Sequence, residues 1–120
     1  MTFFQSIKSG FVNFLDLRGR ASRSEFWYFH LFVWLVGLAS ALHSIYIEPN
    51  YNNLLSYIFV LFHFIIIIPL FTLTARRLHD VNKSAFWMLL GFTIIGIIPL
   101  IYWYCKEGDV GQNDYGSPSL

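Results

Sequence analysis

The feature that most constrains this chain is the way its charge is gathered. The stretch Ala75-Arg76-Arg77-Leu78-His79-Asp80-Val81-Asn82-Lys83-Ser84-Ala85-Phe86-Trp87 is a polar island between two long apolar runs and holds three of the eight Lys and Arg residues. A second island, Arg18-Gly19-Arg20-Ala21-Ser22-Arg23-Ser24-Glu25-Phe26-Trp27, precedes the first apolar run. The runs 26–43 and 54–74 carry no Asp, Glu, Lys or Arg over lengths close to what a hydrocarbon core of about 30 Å requires. With 56% hydrophobic and 12% charged residues in 120, a water-soluble domain would have to expose apolar patches large enough to drive association. The composition therefore points to lipid as the solvent. A net charge of +1 gives no overall basic field of the kind that dominates nucleic-acid binding, and nucleic acid is not expected as a partner.

Taken in order, the chain reads as a single membrane domain, 1–120. Residues 2–17 place Phe3, Phe4, Ile7, Phe11, Phe14 and Leu15 at spacings of three and four, opposite Gln5, Ser6, Lys8, Ser9 and Asn13. This predicts an amphipathic helix lying on the membrane, with packing against the protein's own spans as the other reading. The same polar interruptions leave no signal-peptide order of basic region, apolar core and cleavage site, so no cleavage is expected. Ser22-Arg23-Ser24-Glu25 fits a capping box and should open a helix. Transmembrane helices are expected over 26–43, 54–74 and 85–104, the second kinked at Pro69, followed by an irregular polar tail, 106–120.

Seven of the eight basic residues fall before the first span or between the second and third. The turn Ser44 to Asn53 has none, and Lys106 in the tail is outnumbered by Glu107, Asp109 and Asp114. Loops rich in Lys and Arg stay in the cytoplasm, which predicts a cytoplasmic N-terminus and a periplasmic C-terminus. Gly96 and Pro99 offer the other topology, a re-entrant hairpin that returns the tail inside. Arg23-Ser-Glu-Phe-Trp27 and Lys83-Ser-Ala-Phe-Trp87 share the pattern basic-Ser-x-Phe-Trp, suited to a helix entering lipid from a basic face.

These residues carry a resemblance. Gly19-Arg20-Ala-Ser-Arg23-Ser-Glu25-Phe26-Trp27, Arg76-Arg-Leu-His-Asp80, Ser84-x-x-Trp87 and Gly111-Gln-Asn113-Asp-Tyr115-Gly116-Ser-Pro118 resemble the motifs of domain-of-unknown-function family 805, the YhaH-like small bacterial inner-membrane proteins. The likeness covers nearly the whole chain. Pro118 follows Gly116 by two residues where three are usual, and Ala85 stands where glycine is usual. The resemblance implies an integral inner-membrane protein and no settled activity.

Function is weighed at three places. Arg18, Arg20, Arg23, Arg76 and Arg77 are expected to meet anionic headgroups or a partner protein. Glu25 is expected to pair with Arg76 or Arg77 as a clamp between the first two spans, and Arg76 with Asp80 along one helix face. Trp27, His79, Asp80, Ser84, Trp87, Asn113 and Gly116 complete the motif residues. His79 beside Asp80 suits a general acid or base of a headgroup-processing enzyme, but no Ser or Cys nucleophile accompanies it. His63, near the middle of the second span, suits a proton or ion path, yet lacks a carboxylate partner. His30, His43, His63 and His79 have no metal-ligand spacing, the lone Cys105 forms no disulfide, and no catalytic residue, metal or cofactor is expected. The sequence thus favours a small inner-membrane adaptor or regulatory subunit with a basic cytoplasmic face. An oligomeric channel using His63 and an enzyme using His79 are the competing readings.

Overall fold

The structure, a computed structural model, describes residues 1–119; Leu120, the last residue of the expected tail, lies outside the described residues. The order of elements is α1 (Phe3–Val12), α2 (Arg23–Tyr46), α3 (Leu54–Asp80), a 3-10 helix (Ala85–Phe92) and α4 (Ile94–Cys105). At 1.5 Å per residue, α2 and α3 are about 36 and about 40 Å long, so each is long enough to cross a bilayer. Their surface is inverted relative to a soluble fold. Trp34, Leu38, Phe64 and Ile67 are exposed along the middle, while Arg20, Glu25, Arg76, Arg77, His79 and Asp80 are buried at one end. Apolar side chains outward and charges inward is the arrangement a lipid solvent stabilises.

Each helix start has a local cause. Ser22 Oγ accepts from the Glu25 amide, at 3.2 Å, and caps α2. The glutamate half of the expected capping box is diverted to a tertiary contact, described below. The reciprocal box occurs instead at α1, where Thr2 and Gln5 exchange hydrogen bonds of 3.2 and 2.9 Å. Asn53 caps α3 through the Ser56 amide at 2.9 Å.

Helix α1 ends at Val12, short of the expected 17, with Asn13 as its C-cap: the Asn13 backbone N–H closes the last helical bond to Ser9 O, and its side-chain N–H donates to the same carbonyl. Its small residues, Ser6 and Gly10, face α2, and a side chain at Gly10 would collide with the Phe29 ring. Phe4, Val12 and Leu15 remain exposed on the outer side. The core, Ala21, Phe26, Phe29, Ile66 and Leu73, lies toward the charged end.

The third apolar segment corrects the expectation of a full crossing over 85–104. It is broken at Thr93 into a 3-10 helix and the short α4, which fold against each other. Trp87 and Trp103 stack edge to face with centroids 5.5 Å apart, and Gly91 lies opposite Leu100. Residues from the two ends of one crossing helix could not meet in this way, so the segment doubles back on itself. Neither arm is long enough to cross: at about 2.0 Å per residue the 3-10 arm reaches about 16 Å, and α4 about 18 Å. The turn closes its own polar groups, since Thr93 Oγ1 donates to the Leu90 carbonyl and accepts from the Gly96 amide, both at 2.9 Å. Lipid tolerates non-helical backbone only when it is satisfied in this manner. A side chain at Gly96 would strike the Thr93 hydroxyl, which explains the glycine.

The tail consequently returns to the end of the molecule that holds both islands. The expectation that the two termini lie on opposite faces does not match this arrangement. The physical reason is that a twelve-residue helix after a turn reverses the segment's direction rather than completing it.

Candidate functional site

The islands, the last turn of α4 and the tail converge on one buried charge cluster. Helix α3 continues through Asp80, past the expected end at 74, so Arg76, Arg77, His79 and Asp80 are presented from successive helical positions. Asp80 is the centre. Its Oδ1 accepts from Arg20 Nε at 2.9 Å, and its Oδ2 accepts from Arg77 Nη1 at 2.6 Å. The i,i+4 spacing of Arg76 and Asp80 suggested a pair along the helix, but Arg77 is the residue that takes this place, at i,i+3.

Arg76 instead turns to α2, where its Nη1 donates to Glu25 Oε1 at 3.1 Å; Ser9 Oγ of α1 donates to the same oxygen at 2.6 Å. Both side chains are almost wholly buried. Oε2 of Glu25 and the Nε and Nη2 of Arg76 have no hydrogen-bond partner among the described residues. One glutamate thereby joins α1, α2 and α3.

Arg20 and Arg77 use the rest of their donors on backbone carbonyls. Arg20 Nη1 reaches Gly111 O at 2.5 Å and Gly116 O at 3.2 Å, and its Nη2 reaches Asp109 O at 2.5 Å. Arg77 Nε donates to Tyr104 O and its Nη2 to Trp103 O, both at 3.2 Å, with Nη2 also bonded to Lys106 O and Nη1 to Ala21 O at 3.3 Å. The last carbonyls of a helix have no partner within it, so Arg77 supplies donors where α4 needs them. Trp27 Nε1 adds a second donor to Tyr104 O at 3.2 Å. Guanidinium is suited to this role because its planar fork offers several fixed donors from one charge.

The tail is folded rather than merely irregular. Asn113 and Gly116 exchange backbone hydrogen bonds of 3.0 Å, and Gly116 holds φ at 107°, a conformation that favours glycine. Asn113 Nδ2 donates to the His79 carbonyl at 2.9 Å and to Asp109 Oδ2 at 3.1 Å. The Tyr115 ring stacks on the His79 imidazole, 4.0 Å away and parallel to within 2°. His79 Nδ1 lies 3.0 Å from the Gly19 carbonyl. Gly108 passes so close to the Asp80 carboxylate that any side chain there would overlap it.

The sequence-derived candidates are thus divided. Arg20, Arg76 and Arg77 are buried and turned inward, whereas Arg18 and Arg23 are exposed. Glu25, Trp27, His79, Asp80, Asn113 and Gly116 meet in the cluster; Ser84 caps the 3-10 helix through the Phe86 amide, and Trp87 packs on Trp103. His63 stands apart. It is exposed on α3, with its Nδ1 2.6 Å from the Phe59 carbonyl of its own helix and its ring facing Gly37 of α2. No group of His, Cys, Asp and Glu among the described residues has metal-binding geometry. Three contributors were not legible in the sequence: Ser9, Gly108 and the carbonyls of 103–106. Backbone carbonyls leave no residue-type signal, although Thr2-x-x-Gln5 could have marked where α1, and with it Ser9, begins.

Comparison with known proteins agrees with this picture. Inner membrane protein YhaI of Escherichia coli K12 is 33% identical over 118 residues, covering 98% of this chain and 94% of YhaI. Inner membrane protein YhaH of the same organism is 33% identical over 110 residues, covering 87% of each chain. No solved structure matches the chain. The apolar helices and these relatives identify an integral protein of the inner membrane. The family described as "Protein of unknown function (DUF805)" matches residues 14–117, a span that contains both islands, both long helices, the hairpin and the tail turn, and the chain belongs to it.

Proposed function

We propose that the chain is a non-catalytic inner-membrane subunit, an adaptor or regulatory component, whose island face lies on the cytoplasmic side with both the N-terminus and the tail. The observation that carries this is the engagement of Asp80 and His79, the pair that could do acid–base chemistry. Both Asp80 oxygens are held by arginines, and His79 is covered by Tyr115 on a ring face and engaged at Nδ1. A general acid or base must be able to reach a substrate proton, and these groups are committed to the fold. The basic bias of the islands supports the cytoplasmic assignment. What this face offers to anionic lipid or a partner protein is then Lys8, Arg18, Arg23 and Lys106, with the surface of the tail, rather than the inward arginines.

Two measurements test the reading. A C-terminal green fluorescent fusion is expected to be fluorescent and a C-terminal alkaline phosphatase fusion inactive; the opposite pair refutes the shared cytoplasmic face. For the non-catalytic role, a photo-crosslinker at the exposed Val110 in intact cells is expected to capture a discrete protein partner. Loss of a lipid product in a folded His79→Gln variant would instead establish the enzyme.

A further inference from the structure

Beside the buried cluster, the island face carries an open cleft of about 550 Å³ whose charged lining is Arg20, Arg23, Asp80, Glu107 and Asp109. A second hollow of about 430 Å³ is lined by Arg23, Ser24, Trp27, Tyr28 and Cys105. Arg23 and Ser24 line both, so the two spaces adjoin. Arg20 and Asp80 are consumed by each other and by Arg77 and the tail, which leaves Arg23 as the lining cation, beside the Met1 ammonium that donates to Ser24 Oγ at 3.3 Å, and Glu107 and Asp109 as the carboxylates that face the cleft. Arg23 is exposed, with Nη1 at 3.4 Å from the Cys105 carbonyl; Asp109 accepts from Asn113, and Glu107 is exposed.

With the island face at headgroup level, these groups are ordered along the membrane normal. Trp27 and Tyr28 lie one turn farther into the bilayer than Arg23, since α2 enters lipid from its N-terminus. Glu107 and Asp109 belong to the tail, which is tied to the Asp80 carbonyl and to Arg20 beyond the start of α2. From lipid outward the sequence is aromatic wall, guanidinium with hydroxyls, then carboxylates. A purely anionic headgroup fits this poorly, because its phosphate on Arg23 would face two carboxylates with nothing to offer them. A headgroup with a primary ammonium a short linker beyond its phosphate complements every position.

We propose that this cleft binds a phosphoethanolamine lipid, with the phosphate on Arg23 and Ser24, the ammonium on Glu107 and Asp109, and an acyl chain along Trp27 and Tyr28. A charge-assisted contact at each end accounts for selectivity. Phosphatidylglycerol lacks the cation, and the quaternary ammonium of phosphatidylcholine has no N–H to donate. The inference requires that the island face lie at headgroup level and does not depend on the chain being non-catalytic.

The test is lipid binding to the full chain, released from detergent in a native mass spectrometer, with phosphatidylethanolamine, phosphatidylglycerol and phosphatidylcholine of matched acyl chains. Wild type should prefer phosphatidylethanolamine over both others by about tenfold, the effect of one charge-assisted hydrogen bond. Arg23→Gln should weaken phosphatidylethanolamine and phosphatidylglycerol alike. Glu107→Gln with Asp109→Asn should remove the preference and leave phosphatidylglycerol binding intact. Equal binding of the three lipids, a preference that survives the carboxylate variant, or an Arg23→Gln protein that binds as wild type would each overturn the proposal. Soluble phosphoethanolamine binding as tightly as the lipid would overturn the lipid as its source. Arg23 and Glu107 are exposed, so unchanged unfolding midpoints are expected for Arg23→Gln and for Glu107→Gln alone; Asp109 accepts from Asn113, so the single Glu107→Gln variant, expected to reduce the preference in part, keeps the test valid if the double variant loosens the tail.

Discussion

The two ends of the α2–α3 pair join the same helices by opposite means. At the far end, three residues suffice: His43 is buried with Nε2 3.4 Å from Asn53 Nδ2 and Nδ1 3.5 Å from Ser56 Oγ. The partners lie 10 and 13 residues apart, across a short turn that already holds the helices together. At the island end, charges are buried and the partners are distant in sequence. Arg20 and Asp80 are 60 residues apart, Arg76 and Glu25 are 51, and Arg20 reaches a carbonyl 91 residues away. Buried charge in this fold gathers segments that the chain itself leaves far apart. A turn between consecutive helices needs caps, whereas gathering α1, two spans, a hairpin and a tail at one point needs hubs with many donors, and arginine supplies them.

The comparison is broken most severely at Asp80. Asp80→Asn keeps the shape but leaves Arg20 and Arg77 without their shared counter-charge, and a loss of about 3–5 kcal/mol is expected in reversible unfolding from mixed micelles. A loss below 1 kcal/mol would mean the island end is held no differently from the far end.

Next is the Glu25–Arg76 pair. Glu25→Arg and Arg76→Glu alone should each destabilise by about 3 kcal/mol, and the two together should recover part of that loss. Glu25→Arg combined with Arg77→Glu should recover nothing, because Arg77 faces Asp80 and the α4 carbonyls rather than Glu25. Recovery in that second swap would refute the partner assignment.

Gly108→Ala tests the attachment of the tail. The added methyl meets the Asp80 carboxylate, and about 1–3 kcal/mol of overpacking should appear, together with faster proteolysis between residues 106 and 119. The smallest effects belong to the far end. Asn53→Ala should cost about 1 kcal/mol as a lost cap, and Ser56→Ala about 0.6 kcal/mol, typical of a hydrogen bond within a membrane protein. If either exceeded the Asp80→Asn effect, the contrast between the two ends would be wrong.

Much of the fold was legible because lipid imposes a simple code. Uncharged runs of sufficient length gave α2 and α3, with Ser22 marking the start of α2. The third run passed the same composition test and yet folds back. Hydropathy counts apolar residues without sensing that the Thr93 hydroxyl closes a turn and that Gly96 makes room for it. The site was partly legible: the motif residues Arg20, Glu25, Arg76, Arg77, Asp80 and Asn113 do converge, but their partners were not. Arg76 was a candidate for both Glu25 and Asp80, and only the rotation of α3 against α2 separates these. The capping-box reading of Glu25 failed for a related reason, since a buried guanidinium outcompetes a local amide for that carboxylate.

By itself, the sequence determined the solvent of this protein, the two spans, and the confinement of charge to two short islands. These follow from transfer free energies and hydrogen-bond accounting that each segment must satisfy on its own. Tertiary structure alone decided that the islands form one cluster, that the tail closes over it, and that the basic residues divide into inward hubs and outward contacts. Those outcomes depend on which donors and acceptors meet across 50 to 90 residues of chain, a matter of geometry that residue type leaves open.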